Sequence, residues 1–181
     1  GPGYTKEQYL YRVDPKNGLP CDNLLSGFRD EMNSAFYQAG FTIDPDGDLW
    51  MIEDQYDSMV IRKSSDYGRT WSFVSQLQDS GLSGQLYFSP HDSNIVLINS
   101  SRDNTNAGTR GLYRSTDGGK TWAFVRSTGF DGDQQIYFDP ITPGRVYANN
   151  QYLSTDNGAS WTTDSGLNST KRWWVDSSGK G

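Results

Sequence analysis

Cysteine is nearly absent: Cys21 stands alone in 181 residues, which excludes an internal disulfide and a cysteine-built metal cage. Histidine is as scarce. His91 is the single copy, so a Ser-His-Asp triad would have to use it, and Ser89-Pro90-His91-Asp92 reads instead as a solvated turn. No apolar run approaches the about 18 residues of a membrane-crossing helix, and no signal peptide opens the chain. The Gly-Pro-Gly start reads as a trimmed end. Positive charge is thin as well: 16 Lys and Arg stand against 22 Asp and Glu, for a net charge of −6 and a pI near 4.7. Nucleic acid and anionic membrane surfaces repel such a balance, so neither is an expected partner. Hydrophobic residues make up only 34%, which would suit a disordered chain, but aromatics at 14% and charged residues at 21% argue for a folded one. The core is therefore expected to be built from Trp, Tyr and Phe spread over many short segments. One cysteine leaves secretion open, because a large β domain needs no bridges.

What the chain has is a repeat. Ser64-Ser65-Asp66-Tyr67-Gly68-Arg69-Thr70-Trp71, Ser115-Thr116-Asp117-Gly118-Gly119-Lys120-Thr121-Trp122 and Ser154-Thr155-Asp156-Asn157-Gly158-Ala159-Ser160-Trp161 superimpose directly, with their Asp residues 51 and 39 positions apart. A second motif precedes each box: Phe41-Thr42-Ile43-Asp44-Pro45, Leu86-Tyr87-Phe88-Ser89-Pro90 and Ile136-Tyr137-Phe138-Asp139-Pro140. Each unit reads as four short strands. The first runs to the Asp-Pro turn, the second follows it, the third leads into the box and the fourth starts at the Trp. A repeated four-stranded unit of this length is a propeller blade. Within the box, Ser64, Asp66, Ser115, Asp117, Ser154 and Asp156 can accept bonds from turn N–H groups. Gly68, Gly119 and Gly158 permit positive φ, and Trp71, Trp122 and Trp161 are expected to be buried over the turn. These are structural assignments.

At these residues, over about 36–176, the chain resembles the Asp-box (bacterial neuraminidase repeat) propellers. That group includes sialidases, family 74 xyloglucanases, sortilin-type receptors and photosystem II assembly factors. The Asp-Pro turn joined to Ser-Thr-Asp-x-Gly-x-Thr-Trp is closest to the xyloglucanase, sortilin and assembly-factor branch. The expected fold is all-β: blades at about 36–80, 81–130 and 131–166, the start of another at 167–181 (Trp173-Trp174-Val175-Asp176), and a lead-in over 1–35 in which Tyr11-Arg12-Val13-Asp14-Pro15 is a partial copy. Three blades do not close a ring, which takes about 4–8. The chain therefore reads as a segment of a larger propeller, completed by further blades of the same protein or by other copies.

In an up-and-down blade the Asp-Pro turns and boxes share one end, and the variable links share the other. Binding residues concentrate in such links. The candidates there are Glu53, Asp54, Tyr56, Asp57, Arg102, Asp103, Phe130, Asp131 and Arg172, a mixture of carboxylates, Arg and aromatics that suits polar, sugar-like ligands. Asp54 is the one catalytic candidate. Similar xyloglucanases carry a catalytic Asp at this strand end in a Thr-Asp-x-Gly-Gly context, whereas Glu53-Asp54-Gln55-Tyr56-Asp57 lacks the glycines. Glycoside hydrolysis also needs a second carboxylate roughly 5–9 Å away. No Arg-Ile-Pro occurs, against a sialidase. Asp44-Pro45-Asp46-Gly47-Asp48 opens like an EF-hand loop, but Gln55 replaces the bidentate Glu, so it reads as a turn. No metal or cofactor is expected. Asn99-Ser100-Ser101 and Asn168-Ser169-Thr170 are glycosylation sequons. The expectation is a non-catalytic extracellular or periplasmic segment binding a glycan or protein through its loop end. The alternatives are part of a xyloglucanase-like, or less closely sialidase-like, glycoside hydrolase, and an interaction arc of a larger assembly.

Overall fold

The apolar runs between turn clusters become strands. A computed structural model describes residues 11–13, 20–23, 40–54, 58–78, 84–100, 111–126, 135–149 and 151–163, and no helix occurs among them. β1 (Tyr11–Val13) pairs antiparallel with β2 (Pro20–Asn23). Three four-stranded antiparallel sheets follow. The first holds β3 (Gly40–Ile43), β4 (Leu49–Asp54), β5 (Ser58–Ser64) and β6 (Ser72–Gln78). The second holds β7 (Gly84–Phe88), β8 (Val96–Ser100), β9 (Gly111–Ser115) and β10 (Ala123–Arg126). The third holds β11 (Ile136–Phe138), β12 (Val146–Ala148), β13 (Tyr152–Ser154) and β14 (Thr162–Thr163). Strands lie in chain order within each sheet, so these are the three blades. The first strands meet one another, β3 against β7 and β7 against β11, and the later strands fan outward from that line. Gly40 marks the tightest approach, since a Cβ there would stand 2.8 Å from the Gly84 carbonyl oxygen.

Each central strand serves two interfaces, because successive residues face opposite sides of the sheet. Trp50, Ile52, Met59, Ile61 and Leu77 of the first blade pack on Leu86, Val96 and Ile98 of the second. Leu97 and Leu112 of the second pack on Ile136, Val146 and Ala148 of the third. The expectation of an aromatic core is overturned. Trp50 is the one aromatic among the buried hydrophobic residues described; the rest are aliphatic or Met. Branched aliphatic side chains fill the space between two closely stacked sheets, while Tyr87, Phe88, Tyr113, Phe138 and Tyr152 pack half-buried at its margins.

The boxes close by one repeated set of bonds. The hydroxyls of Ser64, Ser115 and Ser154 donate to Oδ1 of Asp66, Asp117 and Asp156 at 2.8, 2.7 and 2.7 Å. The same hydroxyls accept the N–H of Gly68, Gly119 and Gly158, each at 2.8 Å. The carboxylates also take the N–H and hydroxyl of Thr70, Thr121 and Ser160. Two successive residues are left-handed in every box: Tyr67 and Gly68 (φ 61° and 82°), Gly118 and Gly119 (71° and 82°), Asn157 and Gly158 (59° and 81°).

The box tryptophans are half-buried rather than buried, and the fourth strands open one residue after them. Both departures have one cause: the indole N–H turns back to bond the box. Trp71 and Trp161 donate to the Gly68 and Gly158 carbonyls at 3.2 and 3.0 Å. Trp122 donates instead to Ser75 Oγ at 3.0 Å, because Ser75 of the first blade already donates to the Gly119 carbonyl at 2.5 Å.

The same turns join the blades. Gly119 lies under the Trp50 ring and Gly158 under Leu97, with room for no Cβ beyond 3.3 and 3.0 Å respectively. Arg114 Nε donates to the Asn157 carbonyl at 2.9 Å. His91 is exposed, as a turn residue should be, yet its Nε2 sits 2.9 Å from the Asp139 carbonyl and ties the second blade to the third. A carbonyl only accepts, so this nitrogen carries the hydrogen.

Two stability measurements follow from this packing. In urea, Gly158→Ala should lose about 2–3 kcal/mol, because a left-handed alanine is strained and its Cβ meets Leu97. Gly47→Ala, at φ 90° with open space around it, should lose only about 1 kcal/mol. Equal losses would mean that the box glycines serve their own turns and not the blade interface. Ser115→Ala should cost about 1–3 kcal/mol, since the buried Gly119 N–H loses its acceptor.

Candidate functional site

The two ends of the blades carry different chemistry. At the box end every itemised carboxylate is committed. Asp44 accepts the N–H of Asp46 and Asp48 at 3.0 and 2.9 Å and the Trp50 indole N–H at 2.8 Å. Lys63 Nζ lies 3.3 Å from Asp44 and 2.7 Å from Asp48, above the Trp50 ring at 5.1 Å. Burial alone would raise the Asp44 carboxyl. The Trp50 and Asp48 N–H groups and Lys63 outweigh it and hold the group below the ordinary range. The EF-hand-like opening is thus a turn closed on Lys63. Asp139 follows the same logic: burial opposes, but the Thr142 and Ile141 N–H groups at 3.0 and 2.9 Å prevail and lower it. Asp66 is lowered to about 2, first by the Thr70 N–H and then by its hydroxyl, and Asp117 to about 2 by the hydroxyl and N–H of Thr121. Such groups stay ionised and hold structure, and they make poor proton donors near neutrality.

At the opposite end the strands reach further than the sequence suggests. Glu53, Asp54 and Ser58 belong to β4 and β5, and Asn99 and Ser100 to β8, so the links begin later. Glu53 is therefore a strand residue. It is fully buried and its carboxylate accepts from Arg62 Nε, an ion pair internal to the blade. Removing one partner of such a pair would leave the other charge uncompensated. Ser58, also buried, accepts from Gln76 at 2.7 Å. Asn99 is buried in a central strand, so that sequon offers no acceptor on the folded surface.

Asp54 is the last residue of β4, opposite Met59 in register, at the mouth of the short link to β5. Tyr56, Asp57, Arg102, Asp103, Phe130, Asp131 and Arg172 lie outside the described residues, as do the second sequon and the Trp173 run. Of the sequence-derived loop set, then, Glu53 and Asp54 are placed, side by side on one strand. Gln85 and Gln135 are exposed near the same end on first strands and were not singled out from sequence. Their signal is a Gln-apolar-Tyr triplet recurring in register. Among the described residues, no cluster of three or more His, Cys, Asp or Glu is arranged to hold a metal ion.

The BNR/Asp-box repeat model matches residues 113–124, the third strand and box of the second blade. The chain carries Asp-box repeats. It is similar to a xyloglucanase of Hypocrea jecorina, 32% identical over 179 residues, a match covering 89% of this chain and 19% of that protein. The chain thus spans about a fifth of that relative's length. Among solved structures it is similar to the GH74 enzyme of Niastella koreensis, with a TM-score of 0.49, 23% identity and coverage of 68% of this chain and 22% of that one. It is also similar to the GH93 α-L-arabinofuranosidase of Fusarium graminearum with arabinobiose, with a TM-score of 0.48, 21% identity and coverage of 70% and 46%.

The box electrostatics set a pH dependence. Asp66 and Asp117 titrate at about 2 in the fold, below their ordinary 3.8. A depressed folded value contributes stability that is whole above the unfolded value and is lost as pH falls through the folded one. The urea midpoint should therefore hold steady down to about pH 5 and drop between about pH 4 and pH 2. Asp117→Asn should lower the midpoint at neutrality and shrink that acid drop; an unchanged drop would remove the box from the acid response.

Proposed function

We propose that this chain is the part of an extracytoplasmic glycoside hydrolase that holds a polysaccharide across the loop end of its blades, with Asp54 one of the two reacting carboxylates. The observation that carries the reading is the 32% identity to a xyloglucanase, spread over 89% of the chain and not confined to the boxes. The place of Asp54 supports it. A carboxylate at a strand terminus is held by the ladder yet opens on a link where substrate can lie, and it has none of the box bonds that fix Asp66, Asp117 and Asp156 in the ionised form. Acting as acid, it would protonate the glycosidic oxygen as the bond breaks; acting as base, it would take the proton of the attacking water. The second carboxylate would come from another part of a longer protein.

A binding-only reading has its own observation: the glycines that flank the catalytic Asp in similar xyloglucanases are missing around Asp54. Reducing-end release from xyloglucan, measured on the protein as its gene encodes it, separates the two. Asp54→Asn keeps the side chain's shape and removes its titration. The rate should fall by about 10² or more with KM little changed. A rate that survives Asp54→Asn, together with weaker binding in Tyr56→Ala, would leave a surface that binds and does not react.

A further inference from the structure

The first strands of the second and third blades repeat a triplet, Gln85-Leu86-Tyr87 and Gln135-Ile136-Tyr137. Register makes the copies equivalent. Gln85 stands opposite Asn99 and Tyr87 opposite Leu97; Tyr137 stands opposite Tyr147, and the Asn149 N–H reaches the Gln135 carbonyl at 3.3 Å. Leu86 and Ile136 point into the blade interfaces and are buried, while Gln85, Gln135 and Tyr137 are exposed. In both copies the tyrosine hydroxyl donates to the Oε1 of the glutamine two residues before it, at 3.1 Å for Tyr87 to Gln85. That bond fixes the amide. With its carbonyl turned to the phenol, the two N–H donors of each glutamine face outward. Tyr87 is itself seated against the core between the second and third blades, so one tyrosine is held by packing.

From this geometry we propose that Gln85 and Gln135 form a repeated ledge on the inner strands that donates to the hydroxyls of a neutral oligosaccharide, one contact per blade, with the exposed Tyr137 ring as a stacking surface. The ligand class rests on the glycan reading above; the location is separate from Asp54 and its link. Three features favour an uncharged sugar. The ledge side chains carry no charge. Oriented amide donors match hydroxyl oxygens. The net charge of −6 disfavours an acidic polymer. The inner strands meet one another, so successive ledges adjoin along the line on which the blades converge.

The test uses the full chain, with a xyloglucan heptasaccharide as the neutral probe and hexagalacturonate as the acidic one. Binding is read by calorimetry and by the side-chain amide resonances of Gln85 and Gln135. Both glutamines are exposed, so their alanine variants should melt as the unaltered chain does. The expected results are shifts of both amide resonances with the heptasaccharide and about tenfold weaker binding in the Gln85→Ala, Gln135→Ala double variant. Tyr137→Phe should weaken binding by a smaller factor, since the ring remains. Unchanged affinity in the double variant, with a loss in Tyr56→Ala, would overturn the ledge and leave the glycan reading standing. No heptasaccharide binding by the unaltered chain would overturn both. Tighter binding of hexagalacturonate would overturn the neutral class.

Discussion

The bond on which the rest depends is the one each box serine accepts from a glycine N–H. It places that glycine in the left-handed region directly beneath the preceding blade, where Trp50 or Leu97 can close on it. The aspartate completes the turn by gathering a serine hydroxyl, a downstream N–H and a downstream hydroxyl. With no disulfide available, a stack of short strands is aligned by polar turns at one rim. Strands of three to five residues, such as β11 to β13, have little ladder of their own to hold register. The turns supply it.

This constraint explains why the interior is aliphatic although the sequence advertises aromatics. Sheets stacked through box glycines approach closely, and Ile, Val and Leu on the two middle strands fill the gap. Aromatic rings go to the margins, where Phe41 meets Trp71 edge-on and Tyr113 meets Phe124. Trp50 is the informative exception. Its ring enters the interface because its N–H has a buried acceptor in Asp44. A large polar-tipped ring is tolerated inside where its one donor is satisfied.

The blades were legible in the sequence because the boxes and Asp-Pro turns recur in fixed order, and a recurrence of that kind reports covalent spacing directly. Strand ends were less legible. The sequence places Glu53 in a loop because it is charged, but the Arg62 that neutralises it lies nine residues on, across the hairpin. The tie from His91 to the Asp139 carbonyl was hidden for a similar reason, since it spans 48 residues and uses a backbone acceptor that no side-chain pattern reveals. Core composition misled because counting aromatics gives their number and not their depth. The Gln-apolar-Tyr triplets were present in the sequence throughout. They became interpretable once register put both copies on strands that meet.

The division between the two ends is electrostatic as much as topological. At the box end, each aspartate is held as an anion by donors within four residues of it in sequence, so its charge is spent on the turn and its proton affinity is low. A carboxylate that must exchange a proton during a reaction needs the reverse: an affinity closer to working pH and an approach for substrate. Asp54 sits where the local sequence provides no such cage. Its strand ends, the glycines and hydroxyls of the box are absent, and the neighbouring acid, Glu53, has its counter-ion inside the blade. The repeat therefore separates structural aspartates from the one that sequence and position single out, and it does so by withholding donors at Asp54 rather than by adding a special group there.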